Sequence, residues 1–167
     1  NVIVDLNQLL SIKQFSDDKK VKIYFEELLD EVLIALSSQL SNHDISIEVD
    51  ITKAPRVISI RSYVYSIIYN LLSNSIKYRS PDKSCVIKVE SIIEDGNVCL
   101  LVSDNGMGID LEKNGDQIFG LYKRFHDHIE GKGLGLHMVK LQVEAIGSEV
   151  FVDSKIDFGT NFKIVLK

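Results

Sequence analysis

Tryptophan is absent from this chain of 167 residues, and proline and cysteine occur only twice each. So little proline beside 45% hydrophobic residues excludes a disordered or fibrous chain and favours a packed fold. The length suits one globular domain that buries its core without disulfides or metal staples. No apolar run approaches the ~20 residues that a membrane helix needs. The opening Asn1-Val2-Ile3-Val4-Asp5 lacks the basic, apolar and small-residue regions of a signal peptide. These absences predict a cytoplasmic chain, or the cytoplasmic part of something longer, with no membrane contact of its own. Excess positive charge is missing too: the net charge of −5 offers no global attraction to nucleic acid, which is disfavoured as a partner.

The two cysteines do not form a framework. Cys85 and Cys99 fall on two strands joined by the turn Glu94-Asp95-Gly96-Asn97, and antiparallel pairing places Cys99 opposite Ile92, far from Cys85. A disulfide is therefore not expected, and both read as small buried hydrophobes rather than catalytic thiols.

Periodicity organises the rest. Val2, Leu6, Leu9, Leu10 and Ile12 form a helical stripe over Val2 to Phe15 that begins without an N-cap, as a helix cut in its middle would. Ser16 to Lys22 is a candidate linker, and a second helix is expected from Phe25 to Leu40. Ile45 to Ile51 alternates as a strand, with a short one at Val57 to Ile60. A long helix follows over Ser62 to Tyr78, then strands at Cys85 to Ile93 and Val98 to Ser103. Past Asp104-Asn105-Gly106-Met107-Gly108-Ile109 the chain is polar and irregular as far as Lys132, apart from a helical pattern at Gln117 to Tyr122. Gly133 to Ile146 reads as a helix closed by Gly147, and Glu149 to Asp153 with Thr160 to Leu166 as a closing hairpin. Helices mixed with antiparallel strands predict an α+β fold, a mostly antiparallel mixed sheet covered on one face by helices. The irregular stretch of about twenty residues is long for a compact domain, and such loops tend to be functional lids or disordered.

Three clusters carry chemistry. An advance of about 100° per residue brings Asn70, Asn74 and Lys77 onto one stripe of the long helix, opposite Val64, Ile68, Leu71, Leu72 and Ile76. Amide oxygens are hard neutral ligands suited to Mg²⁺, although a solvated polar face would look the same. Asp104 ends a strand, where its carboxylate can accept from an exocyclic amine, and Gly106 and Gly108 permit close backbone approach; a plain turn is the alternative. Gly131-Lys132-Gly133-Leu134-Gly135-Leu136 opens a helix, whose free N–H groups and dipole favour phosphate, but its spacing is neither a Rossmann fingerprint nor a P-loop.

In this order the clusters resemble the motifs of sensor histidine kinases. Asn70-Leu-Leu-Ser-Asn74-Ser-Ile-Lys-Tyr78 is similar to the N box and Asp104-Asn-Gly-Met-Gly-Ile109 to the G1 box. Ile118-Phe119-Gly-Leu-Tyr122-Lys-Arg124-Phe125 resembles the F box and Gly131 to Leu136 the G2 box. The resemblance runs from about Phe25 to Lys167 and implies the catalytic ATP-binding domain of the GHKL superfamily, a two-layer sandwich with the Bergerat fold. It divides the chain into 1–20, the end of the second dimerisation helix with a linker, and 21–167, the ATP-binding domain.

By this resemblance ATP and Mg²⁺ are the cofactors. Asn74 would coordinate the metal, Asn70 would orient its water and the phosphates, and Lys77 would meet phosphate oxygens. Tyr78 would lie against adenine, Asp104 would accept from its N6 amine, and Gly106 and Gly108 would let the base enter. Gly131, Gly133 and Gly135 would wrap the phosphates, and Arg124 would approach the γ-phosphate. Asn70, Lys77 and Arg124 are thereby the catalytic candidates, with Ile109, Phe119, Tyr122, Lys132, Leu134 and Leu136 among the contacting positions. Partners implied are the protein's own dimerisation and phosphotransfer domain in a homodimer, and a response-regulator receiver domain.

The related Hsp90, gyrase and MutL families carry Glu at the place of Asn70; that Glu activates water and an amide cannot, which favours the kinase over the hydrolase. Ser75 stands where Ala is frequent, Tyr122 where Phe is, and Gly147-Ser148 where Gly-Gly is; none removes a liganding group. None of His43, His126, His128 and His137 is placed as a phosphoacceptor, and a zinc site at His126 and His128 lacks the three or four converging ligands it would need. A kinase that uses nucleotide only conformationally, and a serine kinase of the anti-sigma type, are the alternative functions.

Overall fold

A computed structural model describes residues 19–41, 44–120, 123–126, 129 and 133–167. The expected helix at Val2 to Phe15 lies outside the described residues. Strand β1 (Val21–Tyr24) leads into helix α1 (Phe25–Ala35) and short α2 (Ser37–Ser41), followed by β2 (Ile45–Asp50) and β3 (Arg56–Ser59). Helix α3 (Arg61–Lys77) precedes the hairpin β4 (Cys85–Glu94) and β5 (Asn97–Asp104). Short α4 (Leu111–Asn114) runs into a 3₁₀ turn, Gly115–Gln117, and α5 (Gly135–Ala145) is followed by β6 (Glu149–Lys155) and β7 (Gly159–Leu166).

The main sheet has the order β2-β4-β5-β7-β6, with β2 parallel to β4 and every other neighbour antiparallel. Period-two alternation decides which face is covered. Cys85, Ile87 and Val89 of β4 are buried while Lys88 between them is exposed, and Phe162, Ile164 and Leu166 do the same on β7. These side chains share one core with Val64, Ile67, Ile68, Leu71 and Leu72 of α3 and Val139 and Val143 of α5. The α+β architecture expected from the sequence is thus the observed one. Cys99 pairs with Ile92, both thiols are free and buried, and burial pushes both above the usual thiol range.

Helix α3 owes its form to apolar residues at positions 64, 67, 68, 71, 72 and 76, a stripe with helical period. It ends where Tyr78 N–H still bonds the Asn74 carbonyl, Arg79 caps the Ile76 carbonyl, and Pro81 forbids continuation. Helix α5 ends as expected: Gly147 takes φ +70°, and the N–H groups of Gly147 and Ser148 bond the carbonyls of Glu144 and Val143.

Three expectations are corrected. Val21 and Lys22 belong not to a linker but to β1, which pairs antiparallel with β3 and buries Ile23. The helix expected over Phe25 to Leu40 breaks at Leu36, whose side chain is fully buried at the bend. Of the helical pattern expected at Gln117 to Tyr122, residues 121–122 lie outside the described residues and 117–120 form the end of a 3₁₀ turn and a bend; the helical turn lies earlier, at Leu111–Asn114, where the Asp110 carboxylate caps the Lys113 N–H at 3.2 Å.

Candidate functional site

The polar stripe of α3 faces a cavity of about 430 Å³, within the range of a small-molecule site. Its walls come from α3, the loop after β5, the lid segment 123–126 and the first turn of α5, and Thr160 and Phe162 of β7 complete it.

At one end stands Asp104. Its Oδ1 accepts from the N–H groups of Gly106 (2.9 Å) and Thr160 (3.3 Å), and its Oδ2 accepts from the Ser75 hydroxyl (2.9 Å). Burial raises the carboxyl above its usual range, against the lowering effect of these three donors and the Lys83 charge. A carboxylate so placed has acceptor capacity to spare for an amine donor from the cavity.

Glycine is demanded here by backbone, not only by a ligand. A Cβ on Gly106 would lie 2.6 Å from the Tyr78 carbonyl oxygen, and one on Gly108, at φ +69°, would lie 2.0 Å from that of Lys155. The loop is gripped from both sides, since Met107 N–H bonds the Tyr78 carbonyl (3.0 Å) and Asp157 N–H bonds the Met107 carbonyl (2.9 Å). Asn105 ties it to β4, accepting from Val86 N–H and donating to the Ser84 carbonyl. Gly108 borders the cavity and Gly106 does not.

Tyr78 lines this end too, half-buried, and burial raises its phenol while the Arg124 charge opposes the shift. His126 closes over it: the rings lie 5.6 Å apart and His126 Nε2 is 2.9 Å from the Gly108 carbonyl oxygen. Lys77 Nζ sits 5.7 Å from the Tyr78 ring centroid.

At the other end, Asn70 donates from Nδ2 to the Ser66 carbonyl (2.9 Å) and hydroxyl (3.3 Å). A Cβ on Gly135 would stand 3.4 Å from Asn74 Oδ1 and 3.5 Å from Asn70 Oδ1, so the start of α5 lies directly over two amide oxygens. Hard oxygen donors beside a helix N-terminus suit Mg²⁺ with phosphates, because that ion takes one or two protein oxygens and fills its shell with water and phosphate. Among the described residues no cluster of three His, Cys, Asp or Glu side chains could hold a metal by itself.

Of the positions named from sequence, the cavity brings together Asn70, Asn74, Lys77, Tyr78, Asp104 and Gly108. Ile109, Gly133, Leu134, Gly135 and Leu136 join them. Phe119 packs instead on Phe162, and Arg124, exposed, turns its guanidinium onto the Ile129 carbonyl. Tyr122, Gly131 and Lys132 lie outside the described residues.

Sequence reasoning missed Ser66, one helical turn before Asn70, although the four-residue spacing of the stripe pointed to it. Ser73, Tyr69 and Met138 were missed as well. Thr160 faces Asp104 only through the β5–β7 register, which no local pattern reveals. Lys123, Phe125 and His126 join the cavity from the polar stretch after α4, a place that the sequence does not reveal for His126.

A family model described as histidine kinase-, DNA gyrase B-, and HSP90-like ATPase matches residues 59–167. The sensor protein RprX of Bacteroides fragilis is 28% identical over 96% of this chain and 33% of its own length. The methanogenesis regulatory histidine kinase FilI of Methanothrix harundinacea is 32% identical over 81% of this chain and 15% of its own. The chain therefore spans a third or less of these curated relatives. Among solved structures, the mycobacterial sensor histidine kinase MprB superposes with a TM-score of 0.74 at 29% identity, covering 88% of this chain and 96% of that one. ShkA, solved in complex with AMPPNP, shares the fold with a TM-score of 0.79 at 20% identity, covering 98% of this chain and 35% of that one.

Proposed function

The chain belongs to the histidine kinase-, DNA gyrase B-, and HSP90-like ATPase family, and from that premise we propose that it binds Mg-ATP and donates the γ-phosphoryl group to a histidine of a dimerisation domain in two-component signalling. The observation that carries the reading is the placement of carboxylates. Among the described residues lining the cavity, Asp104 is the only one, and its hydrogen bonds run to Ser75, Gly106 and Thr160, while the Asn70 and Asn74 amide oxygens stand against Gly135. Among the described residues no carboxylate stands beside those amides to activate water, which favours a nucleophile brought by a partner, as phosphoryl transfer requires.

On this reading the roles are as follows, and the geometry of the described residues supports them. Asp104 accepts from the exocyclic amine of adenine, with Tyr78 against the base. Asn74 is the metal ligand, Asn70 orients the metal's water and the phosphates, and Lys77 meets phosphate oxygens. Magnesium, when bound, neutralises and orients the phosphate oxygens. The N–H groups at the start of α5, with Gly133 and Gly135, receive the phosphates. Arg124, whose guanidinium bonds the Ile129 carbonyl in this structure, is the cation assigned to the γ-phosphate.

Neither described histidine is suited as the acceptor. His126 sits by Tyr78 and Gly108 at the base end, and His137 holds the Phe119 carbonyl through Nδ1 at 2.9 Å. The partners on this reading are the protein's own dimerisation and phosphotransfer domain, as a homodimer, and a receiver domain. The test is calorimetry of ATP binding with and without Mg²⁺, followed by incubation with γ-labelled ATP and a histidine-bearing dimerisation domain. We expect Mg²⁺-dependent binding, little labelling of the chain alone, and an acid-labile, base-stable phosphate on the added domain. Release of free phosphate at a steady rate with no labelled protein would overturn the kinase in favour of a hydrolase.

A further inference from the structure

The turn assigned to the phosphates is held loosely by the core. From Gly133 to Met138 every residue is only half-buried, Leu136 packs on the core in part, and Val139 is the first side chain of α5 to be fully buried. Two glycines, Gly133 at φ +69° and Gly135, give the stretch little backbone stiffness of its own. Of Gly133-Leu134-Gly135-Leu136-His137-Met138, only His137 has a side chain that can donate a hydrogen bond.

That donor is used. His137 Nδ1 lies 2.9 Å from the Phe119 carbonyl oxygen, 18 positions earlier in the chain, and since a carbonyl only accepts, the hydrogen is on Nδ1. Phe119 is itself well anchored. Its neighbour Ile118 is 2% exposed, its ring meets Phe162 of β7 edge-on with centroids 6.5 Å apart, and the Gly120 N–H closes a turn around it onto the Gln117 carbonyl at 2.9 Å. That closing bond leaves the Phe119 carbonyl to His137. Three residues further along α5, on the same face, Lys140 Nζ stands 5.9 Å from the Phe119 ring centroid, so the helix meets Phe119 at both its carbonyl and its ring. Phe162 lines the cavity, which fixes this anchor to the cavity's own wall.

We propose that His137 is a positioning residue: by tying the first turn of α5 to Phe119 it sets the placement of that turn against the Asn70 and Asn74 amides, and with it the binding of the phosphates. Neither His137 nor Phe119 lines the cavity, so the effect runs through the helix and not through contact with nucleotide. The inference rests on the assignment of this turn to the phosphates.

The experiment compares the wild type with His137→Leu, which fills similar space without a donor, and His137→Asn, whose Nδ2 can stand where Nδ1 does. Measured are the affinities for ATP with Mg²⁺ and for adenosine, and the ¹⁵N spectrum of the His137 ring. Loss of one hydrogen bond corresponds to about two- to tenfold in an equilibrium. His137→Leu is expected to lower ATP affinity by that factor and to leave adenosine, which has no phosphate, unaffected, while His137→Asn restores ATP binding. The wild-type ring is expected to show a hydrogen on Nδ1. Three results overturn the proposal: ATP affinity in His137→Leu equal to that of the wild type, ATP and adenosine affinities that fall together as for a merely structural residue, or an Nδ1 without hydrogen. If His137→Leu does not fold, the ring spectrum of the wild type decides. If the wild type binds no nucleotide, the ATP reading fails, and the tie is judged in the free chain: amide exchange of residues 135–138 that is faster in His137→Leu than in His137→Asn upholds it, and equal exchange overturns it.

Discussion

The two ends of the cavity are built on different principles. Around Asp104 two of the three donors to the carboxylate are backbone N–H groups, of Gly106 and Thr160, the third is the Ser75 hydroxyl, and the loop behind it is gripped by the Tyr78 carbonyl and the Asp157 N–H. Around Asn70 the partners are the carbonyl and the hydroxyl of one residue of its own helix, Ser66, which Gln142 of α5 also meets, and the start of α5 stands against the Asn70 and Asn74 amides. The first set of bonds crosses between elements and reads as a frame; the second is confined to one helix and its neighbour and reads as adjustable. Such a division suits a site that recognises a flat base by rigid complementarity and must then reorganise around phosphates that change during reaction.

The strongest way to break this contrast is to strike the frame. Gly108→Ala places a methyl 2.0 Å from the Lys155 carbonyl oxygen at φ +69°, and should cost about 3 kcal/mol or more of folding stability, read by denaturant unfolding. At the adjustable end the same style of change should spare the fold. Asn74→Ala, half-buried and off the core, is expected to leave the thermal midpoint nearly unchanged while lowering Mg²⁺-dependent ATP affinity about 100-fold. Equal ATP affinity by calorimetry would remove Asn74 from the metal.

Acidity sharpens the contrast, because Asp104 gives opposite signs in two measurements. Its carboxyl is raised by burial in the folded state, so the folded chain takes up this proton before the unfolded one does. As pH rises through the raised value, folding loses stability from this group; base recognition, which needs the ionised acceptor, gains. ATP affinity should therefore fall on acidification over a range where the Asp104 contribution to stability improves. Ser75→Ala removes one of the donors that lower this carboxyl, and should move the acid limb of binding to higher pH. Asp104→Asn should abolish that limb and weaken ATP by about 1–3 kcal/mol, since an amide turned toward the adenine amine leaves a buried group unpaired.

The smallest effect is one of rates. Backbone amides of 123–126 should exchange more slowly once nucleotide is bound, whereas those of β5 and the loop to Gly108 should already be slow without it. Equal protection of both segments in the free chain would erase the distinction between frame and lid.

The frame's elements were legible in the sequence because each rests on a short-range signal. The α3 stripe, the strong β4 and β5 runs and the Gly147 stop all lie within a few residues of what specifies them. β1 was not legible: four residues with only Ile23 buried carry too little pattern, and the strand exists only because β3 accepts it as a partner. The same holds within the site. Asn70, Asn74 and Asp104 announce themselves by local motif. Thr160 and Gln142 meet their partners only across the sheet register and the α3–α5 crossing, and the reason for glycine at 108 lies in a carbonyl of β6.

The bond between Asp104 and the Thr160 N–H spans 56 residues of chain and depends on β5 having paired with β7. This makes the order of synthesis matter. A nascent chain in which β4 and β5 have emerged can already form their hairpin, whose contacts are local and fast, but its carboxylate still lacks one of its three donors. The base end is completed only when the strand containing Thr160 docks. The donor set of Asp104 is thus completed by the β5–β7 pairing and not by the motif that contains the carboxylate.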